Sequence, residues 1–247
     1  MRLALKNRFE FKYLISFRQK QEIIDTLMRF AELDKNSLEH GYNVFSIYFD
    51  TDNFRFYREK IEGLEKRVKF RIRSYKKNQD DDSLRGLFLE IKAKENLTII
   101  KDRVFLPHDT CSRLISNNID VENLSDFADH YVVKKFIYYH KRWHIKPVAA
   151  IQYKRLPLML KHYHNFRITF DHSIKCKDAS MLNMDFSTAD YCLPNRLVVL
   201  EVKFNNKMPL WLMNCIKHHN LTQRRISKYA LAIKHLYQRR LQKRIIV

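Results

Sequence analysis

Residues 66–75 read KRVKFRIRSY and set Arg67, Lys69, Arg71 and Arg73 at every second position, with Val68, Phe70 and Ile72 between them. Side chains alternate across a β-strand, so residues two apart share a face. Such a strand would present a row of cations on one side and an apolar surface on the other. The pattern recurs along the chain. Arg8, Glu10 and Lys12 oppose Phe9, Phe11 and Tyr13; Ser46, Tyr48 and Asp50 oppose Phe45, Ile47 and Phe49. Glu90, Lys92 and Lys94 oppose Leu89 and Ile91, and Lys101 and Arg103 follow on a less regular strand. Arg167, Thr169 and Asp171 oppose Phe166, Ile168 and Phe170; Glu201 and Lys203 oppose Val198, Leu200, Val202 and Phe204; Tyr153 and Arg155 share a face. The wet face of an antiparallel sheet is ordinarily polar. Here it is mainly Arg and Lys with occasional carboxylates. Same-face neighbours about 7 Å apart repel by roughly 2 kcal/mol at an effective dielectric near 20. In salt water that cost largely vanishes. In an enclosed sheet it persists unless carboxylates or a polyanion offset it. The chemistry these rows suit is the holding of oxyanions by side chains.

Composition agrees. The 247 residues carry 47 Lys+Arg against 27 Asp+Glu, a formal net charge of +20, which predicts a polyanionic partner: nucleic acid, an anionic membrane surface or a phosphate-rich ligand. Only three glycines occur, Gly41, Gly63 and Gly86. That excludes a Walker loop and a dinucleotide fingerprint, which need clustered glycines for backbone contact with phosphate. Cys111, Cys176, Cys192 and Cys215 lack C-x-x-C spacing and read as reduced thiols of a soluble cytoplasmic protein. No apolar run approaches the ~18–20 residues of a membrane span. The scattered histidines, HYH at 162–164 and HH at 218–219 included, suggest surface or packing roles.

The elements that must position these rows follow from periodicity. Strands are expected at 3–13, 42–51, 66–77, 85–95, 97–106, 147–155, 164–172 and 196–204, with a short one near 173–177. Helices are expected at 17–33, 53–60 (one short turn), 108–117, 123–141, 208–219 and 222–243. The polar stretch 77–86 reads as a hairpin loop. The tail QRRLQKRIIV ends a basic helix, for which contact with a membrane surface is conceivable. No Gly/Pro/Ser linker divides the chain, so residues 1–247 are read as one α+β domain. Its expected architecture is a closed or nearly closed antiparallel β-barrel turned inside out. The charged faces line a tunnel, the helices pack on the outside, and closure removes exposed strand edges.

The strands resemble the VTC domain, the polyphosphate-polymerase branch of the triphosphate tunnel metalloenzyme (CYTH-like) superfamily. The resemblance rests on FEFKY (9–13), IYFDT (47–51), KFRIRSY (69–75), LEIKAK (89–94), YKR (153–155), RITFD (167–171), LEVKF (200–204) and SKY (227–229). It implies a tunnel holding a triphosphate or phosphate chain and a divalent metal, Mn²⁺ or Mg²⁺. By position, Lys12, Arg71, Arg73, Lys92, Arg155, Arg167 and Lys228 would be phosphate ligands. Ser227 would assist Lys228, and Glu201 would hold the metal with Lys203 beside it. Arg58 and Lys60 both qualify for one further basic position. Lys69, Lys94 and Arg103 stand in the same rows and complete the substrate-binding candidates. Glu201 could also serve as an ion-pair partner of Lys203 or Arg167. Glu10 and Glu90 read as partners of Lys12 and Lys92. Hydrolytic members of the superfamily begin Glu-x-Glu-x-Lys, whereas this chain has Arg8-Phe9-Glu10-Phe11-Lys12. The loss of one carboxylate favours the polymerase branch over a two-metal triphosphatase.

The implied reaction transfers the ATP γ-phosphate to the end of a polyphosphate. Phosphoryl transfer needs positioning and charge balance more than covalent help. Arginine suits that need, presenting forked donors that stay charged. Two rivals stand beside this reading: an inorganic or nucleoside triphosphatase on the same barrel, and a non-catalytic module binding polyphosphate or nucleic acid. A nucleic-acid reader would place aromatics among its cations for base stacking. Here the aromatics sit mostly on the apolar faces, Tyr48 and Tyr153 excepted, so nucleic acid is disfavoured as partner.

Overall fold

A computed structural model describes residues 8–35, 37, 39–76, 87–95, 98–116, 124, 127, 129–161, 163, 166–179 and 185–245. Among them are ten strands and six helices. The expected hairpin loop at 77–86 and His162 and His164 lie outside the described residues. The strand order is β1-β10-β8-β7-β3-β4-β5-β6, with β2 beside β7 and β9 beside β8. These are β1 (Arg8–Ser16), β2 (Ala31–Leu33), β3 (Tyr42–Asp50), β4 (Arg67–Lys76), β5 (Leu87–Glu95), β6 (Thr98–Leu106), β7 (Lys146–Leu160), β8 (Arg167–Lys177), β9 (Asp190–Tyr191) and β10 (Leu197–Asn205). Every pairing whose register is resolved is antiparallel. The path starts at β1 and ends at β6, so the sheet is not closed. No helix among the described residues is long and apolar enough to cross a membrane.

The chain forms two compact units, neither of them contiguous in sequence. The first comprises residues 1–43, 153–174 and 193–227; the second comprises 44–152, 175–192 and 228–247. Strand β7 runs from the second into the first.

In the first unit, β1, β10 and β8 pair in register, and Phe11, Tyr13, Ile15, Ile168, Phe170, Val198, Leu200 and Val202 fall on one face. Most of these are buried with Ile23 and Leu27 of helix α1 (Phe17–Leu27) and with Leu212 and Cys215 of helix α5 (Leu210–His218). Ser16 starts α1 through a capping box: its hydroxyl accepts from Gln19 N while the Gln19 side chain accepts from Ser16 N, which satisfies two otherwise orphaned donors. The helix stops at Leu27, short of the expected 33. Residues Ala31–Leu33 pair instead with Leu160–Leu158 as β2. Strand β7 likewise outruns its expected end, because β2 gives the segment beyond Pro157 a partner; proline is tolerated where no ladder bond is asked of it.

In the second unit, Val68, Phe70, Ile72, Leu89 and Ile91 of β4 and β5 bury their face with Phe45, Ile47 and Phe49 of β3. Helix α3 (His108–Ile115) adds Cys111, Leu114 and Ile115, and helix α4 (Tyr131–Trp143) adds Val132, Val133 and Phe136. Helix α2 (Arg55–Glu62) packs against β4 and against helix α6 (Lys228–Ile245). The last helix begins six residues later than periodicity suggests. The preceding segment runs along β1 in the first unit: Tyr13 bridges Gln223, and Arg224 N donates to Lys12 O at 2.8 Å.

Candidate phosphate-binding site

The polar face of the first unit is built in rows across three strands. Glu10, Lys203 and Arg167 are register partners, as are Lys12, Glu201 and Thr169. The Lys12 ammonium lies 2.8 Å from Glu10 Oε1 and 3.7 Å from Glu201 Oε2, and it donates to Ile226 O at 3.2 Å. The other Glu201 oxygen contacts Lys203. Burial alone would lower the Lys12 pKa, but Glu201 and Glu10 outweigh it and raise it. For Lys203 burial wins over Glu201, and its pKa falls. Arg155 is buried and clamps Asp171 through Nε and Nη2, both at 2.7 Å. That bidentate pair raises its pKa further, against the opposing effect of burial. Gly41, at φ +82°, lets the chain pass against the Arg155 carbonyl, which a Cβ would meet at 2.2 Å. Arg167 uses Nη2 for Tyr42 OH at 3.2 Å and Asp34 Oδ2 at 3.1 Å. Its Nε is buried without a hydrogen-bond partner among the described residues, and so is Thr169 Oγ1 two residues on. A buried guanidinium donor left unmet is costly unless an acceptor arrives.

The second unit carries the denser cationic face. Across β4, β5 and β6 the rows are Arg67, Lys94 and Ile99; Lys69, Lys92 and Lys101; Arg71, Glu90 and Arg103; Arg73, Phe88 and Phe105. Glu90, 2% exposed, neutralises the centre: Arg71 Nε donates to it at 2.7 Å and Nη2 lies at 2.6 Å, with Arg73 Nη1 at 4.0 Å. Burial would raise the Glu90 pKa, but Arg71, Arg73 and Lys101 overcome it and lower it. Arg71 Nη1 also donates to Tyr48 OH at 3.1 Å, and Arg73 Nε donates to Ser46 Oγ at 3.0 Å. Tyr48 stacks on Tyr229, centroids 5.0 Å apart. Burial raises its pKa, but Arg71, Arg73 and Lys69 reverse that and bring it down to about 7.

The strand residues among those expected lie on polar sheet faces, with differences in burial. Arg73 and Arg155 are buried, Arg71, Arg167, Lys69, Lys94, Lys203, Ser227 and Lys228 are half-buried, and Lys92 and Arg103 are exposed. On α2, Arg58 is exposed, whereas Lys60 is half-buried on the face of Phe56. Glu90 is a correction: its carboxylate pairs with Arg71 rather than Lys92, because Arg71 is its register partner. Thr169, Asp34, Tyr42 and Tyr229 were not singled out as site residues. Their contacts join segments far apart in sequence; only the alternation of Thr169 with Arg167 was a usable signal. Among the described residues no group of three or more His, Cys, Asp or Glu side chains gathers as metal ligands. Glu201 and Glu10, which both face Lys12, carry hard carboxylate oxygens of the kind a divalent cation takes.

A candidate adenylyl cyclase of Hippeastrum, described as having a dominant triphosphatase activity, superposes with a TM-score of 0.51 at 12% identity, covering 92% of this chain and 96% of that one. A candidate adenylate cyclase of Bacillus halodurans gives 0.49 at 11% identity, covering 90% and 94%. A protein of Pyrococcus horikoshii gives 0.48 at 14% identity, covering 93% and 99%. No curated protein matches the sequence. Fold and face together define a protein built on an antiparallel sheet with cationic polar faces. The chain belongs to the VTC domain family, whose model matches residues 7–237.

Proposed function

We propose that the protein is a polyphosphate polymerase, transferring the γ-phosphoryl group of ATP to the end of a polyphosphate chain with a divalent metal bound. The observation that carries this reading is the crowding of half-buried and buried arginines and lysines on the polar sheet faces, with Arg167 Nε buried and unmatched by any acceptor among the described residues. A terminal phosphate oxygen of the chain attacks the γ-phosphorus, the bond from that phosphorus to the β–γ bridging oxygen breaks, and ADP leaves. The attacking oxygen is already anionic at neutral pH, so no strong general base is needed. Arg71, Arg73, Arg155, Arg167, Lys12, Lys92 and Lys228 hold phosphate oxygens and balance their charge. Lys69, Lys94, Arg103, Lys203, Ser227 and one of Arg58 and Lys60 extend that hold. Glu201 would hold the metal, which would supply charge neutralisation on phosphate oxygens.

A triphosphatase is the second reading, favoured by the activity described for the Hippeastrum protein. Incubation of the purified protein with ATP and Mn²⁺, followed by gel staining and by phosphate release assays, separates the two. Chain growth that disappears in Arg71→Ala, Arg167→Ala and Glu201→Ala variants of unchanged fold supports the polymerase. Orthophosphate release from tripolyphosphate without chain growth supports the hydrolase.

A further inference from the structure

Asp50 closes β3 where two elements bearing candidate phosphate ligands begin. It is fully buried, and its carboxylate oxygens accept four hydrogen bonds. Oδ1 receives Thr51 N at 2.7 Å and Phe56 N at 2.9 Å; Oδ2 receives Tyr57 N at 2.9 Å and the Tyr229 hydroxyl. Helix α2 needs this help. Its N-cap, Phe54, lies in the left-handed region at φ 51° and has no side-chain acceptor, so Asp50 does remotely what Ser or Asp does locally at other helix starts. The fourth bond reaches the first turn of α6, where Tyr229 follows Lys228. The Tyr229 ring in turn stacks on Tyr48, which takes the Arg71 hydrogen bond, and lies 5.7 Å from the Lys69 ammonium. The elements these contacts join carry candidate phosphate ligands: Arg58 and Lys60 on α2, Lys228 on α6, and Lys69 and Arg71 on β4.

We propose that Asp50 and Tyr229 form a positioning pair for phosphate binding: one buried carboxylate, through the tyrosine hydroxyl, sets the neighbouring α6 lysine, Lys228, at a fixed place. The inference rests on the phosphate-binding reading of this face. A carboxylate serving only as a helix cap would need three of its four bonds, and the bond to Tyr229 would be dispensable for binding.

The test uses Tyr229→Phe, which keeps the ring and its stack and removes one hydroxyl, with Asp50→Asn as the stronger perturbation. Binding of tripolyphosphate is measured by calorimetry beside thermal melting. The expected result is about a tenfold weaker affinity in Tyr229→Phe, the scale of one hydrogen bond to a charged group. In a Lys228→Ala background the same change then has little further effect, because residues acting through one another are not additive. Wild-type affinity in Tyr229→Phe, with only the melting temperature lowered, overturns the positioning role and leaves a cap. Equal weakening with and without Lys228 overturns it as well. A wild-type protein that fails to bind tripolyphosphate overturns the phosphate reading itself, a result distinct from both.

Discussion

Replacing Tyr48 by phenylalanine isolates the charge that the second unit concentrates on its sheet. The tyrosine is 7% exposed, and burial by itself would hold its proton tightly. Arg71, hydrogen-bonded at 3.1 Å, together with Arg73 and Lys69 overrides burial and lowers its pKa from the ordinary 10.0 to about 7. That displacement corresponds to roughly 4 kcal/mol favouring phenolate over phenol in the folded protein. The sign is that of a depressed acid. The stabilisation is complete above the unfolded value of 10.0 and is lost as the pH falls through about 7. An anion held by Arg71 or Arg73 competes for the same field. Tripolyphosphate should therefore push the Tyr48 titration upward, and by reciprocity its affinity should fall as the pH rises through 7. Each pH unit by which the titration moves is worth about 1.4 kcal/mol, or tenfold in affinity. Ultraviolet titration of phenolate in the wild type and in Tyr48→Phe, with and without tripolyphosphate, reads this directly. The expected difference spectrum contains one tyrosine ionising near 7 that vanishes in the variant and moves up by at least about one unit with the anion. A titration near 7 that tripolyphosphate leaves in place would refute the assignment of Arg71 and Arg73 to phosphate.

Two further outcomes concern the buried ion pairs. Asp171→Ala leaves the Arg155 guanidinium buried and uncompensated and should cost about 3–5 kcal/mol in urea unfolding, while Arg155→Met with Asp171→Leu recovers most of it. Glu90→Gln should destabilise the protein at neutral pH by unmasking Arg71 and Arg73. The wild type's Glu90 pKa is depressed, so its contribution is present above the ordinary value of 4.5 and fades as the pH falls through the lower folded value. Melting temperature followed downward in pH should therefore drop less steeply in Glu90→Gln than in the wild type.

The strands were legible because an alternating row has one physical solution, and β4, β5, β8 and β10 lie within a few residues of their expected bounds. The errors arose where pairing overrode local pattern. Residues 28–33 continue the apolar spacing of α1, yet Ala31 meets Leu160 in a ladder. Residues 222–227 share the composition of α6 but are tied to Lys12 and Tyr13 instead of continuing the helix. The cations of the site could be read from residue type. Two of their counter-charges could be read as well, Glu10 for Lys12 and Glu201 for Lys203, because each stands two residues from its partner on one strand face. Asp34, which reaches Arg167, and Asp50, which caps a helix through residues six and seven positions on, could not. Two self-contained cores were also invisible, since each draws on three separate stretches of chain.

The pairing of β1 with β10 has a bearing on how the molecule comes to be folded. The first strand described is laid beside the last, Lys12 against Glu201, so the whole stretch from Ser16 to Leu197 must be synthesised before β1 meets β10, its ladder partner among the described residues. Topologies of this kind fold slowly, because distant segments must meet before either is rewarded. During that wait β1 is a solitary ribbon vulnerable to pairing with a neighbour on another ribosome. Its alternating Glu10 and Lys12 are the kind of charged ornament that discourages such encounters, so the residues proposed to handle phosphate in the mature protein would also guard the nascent one.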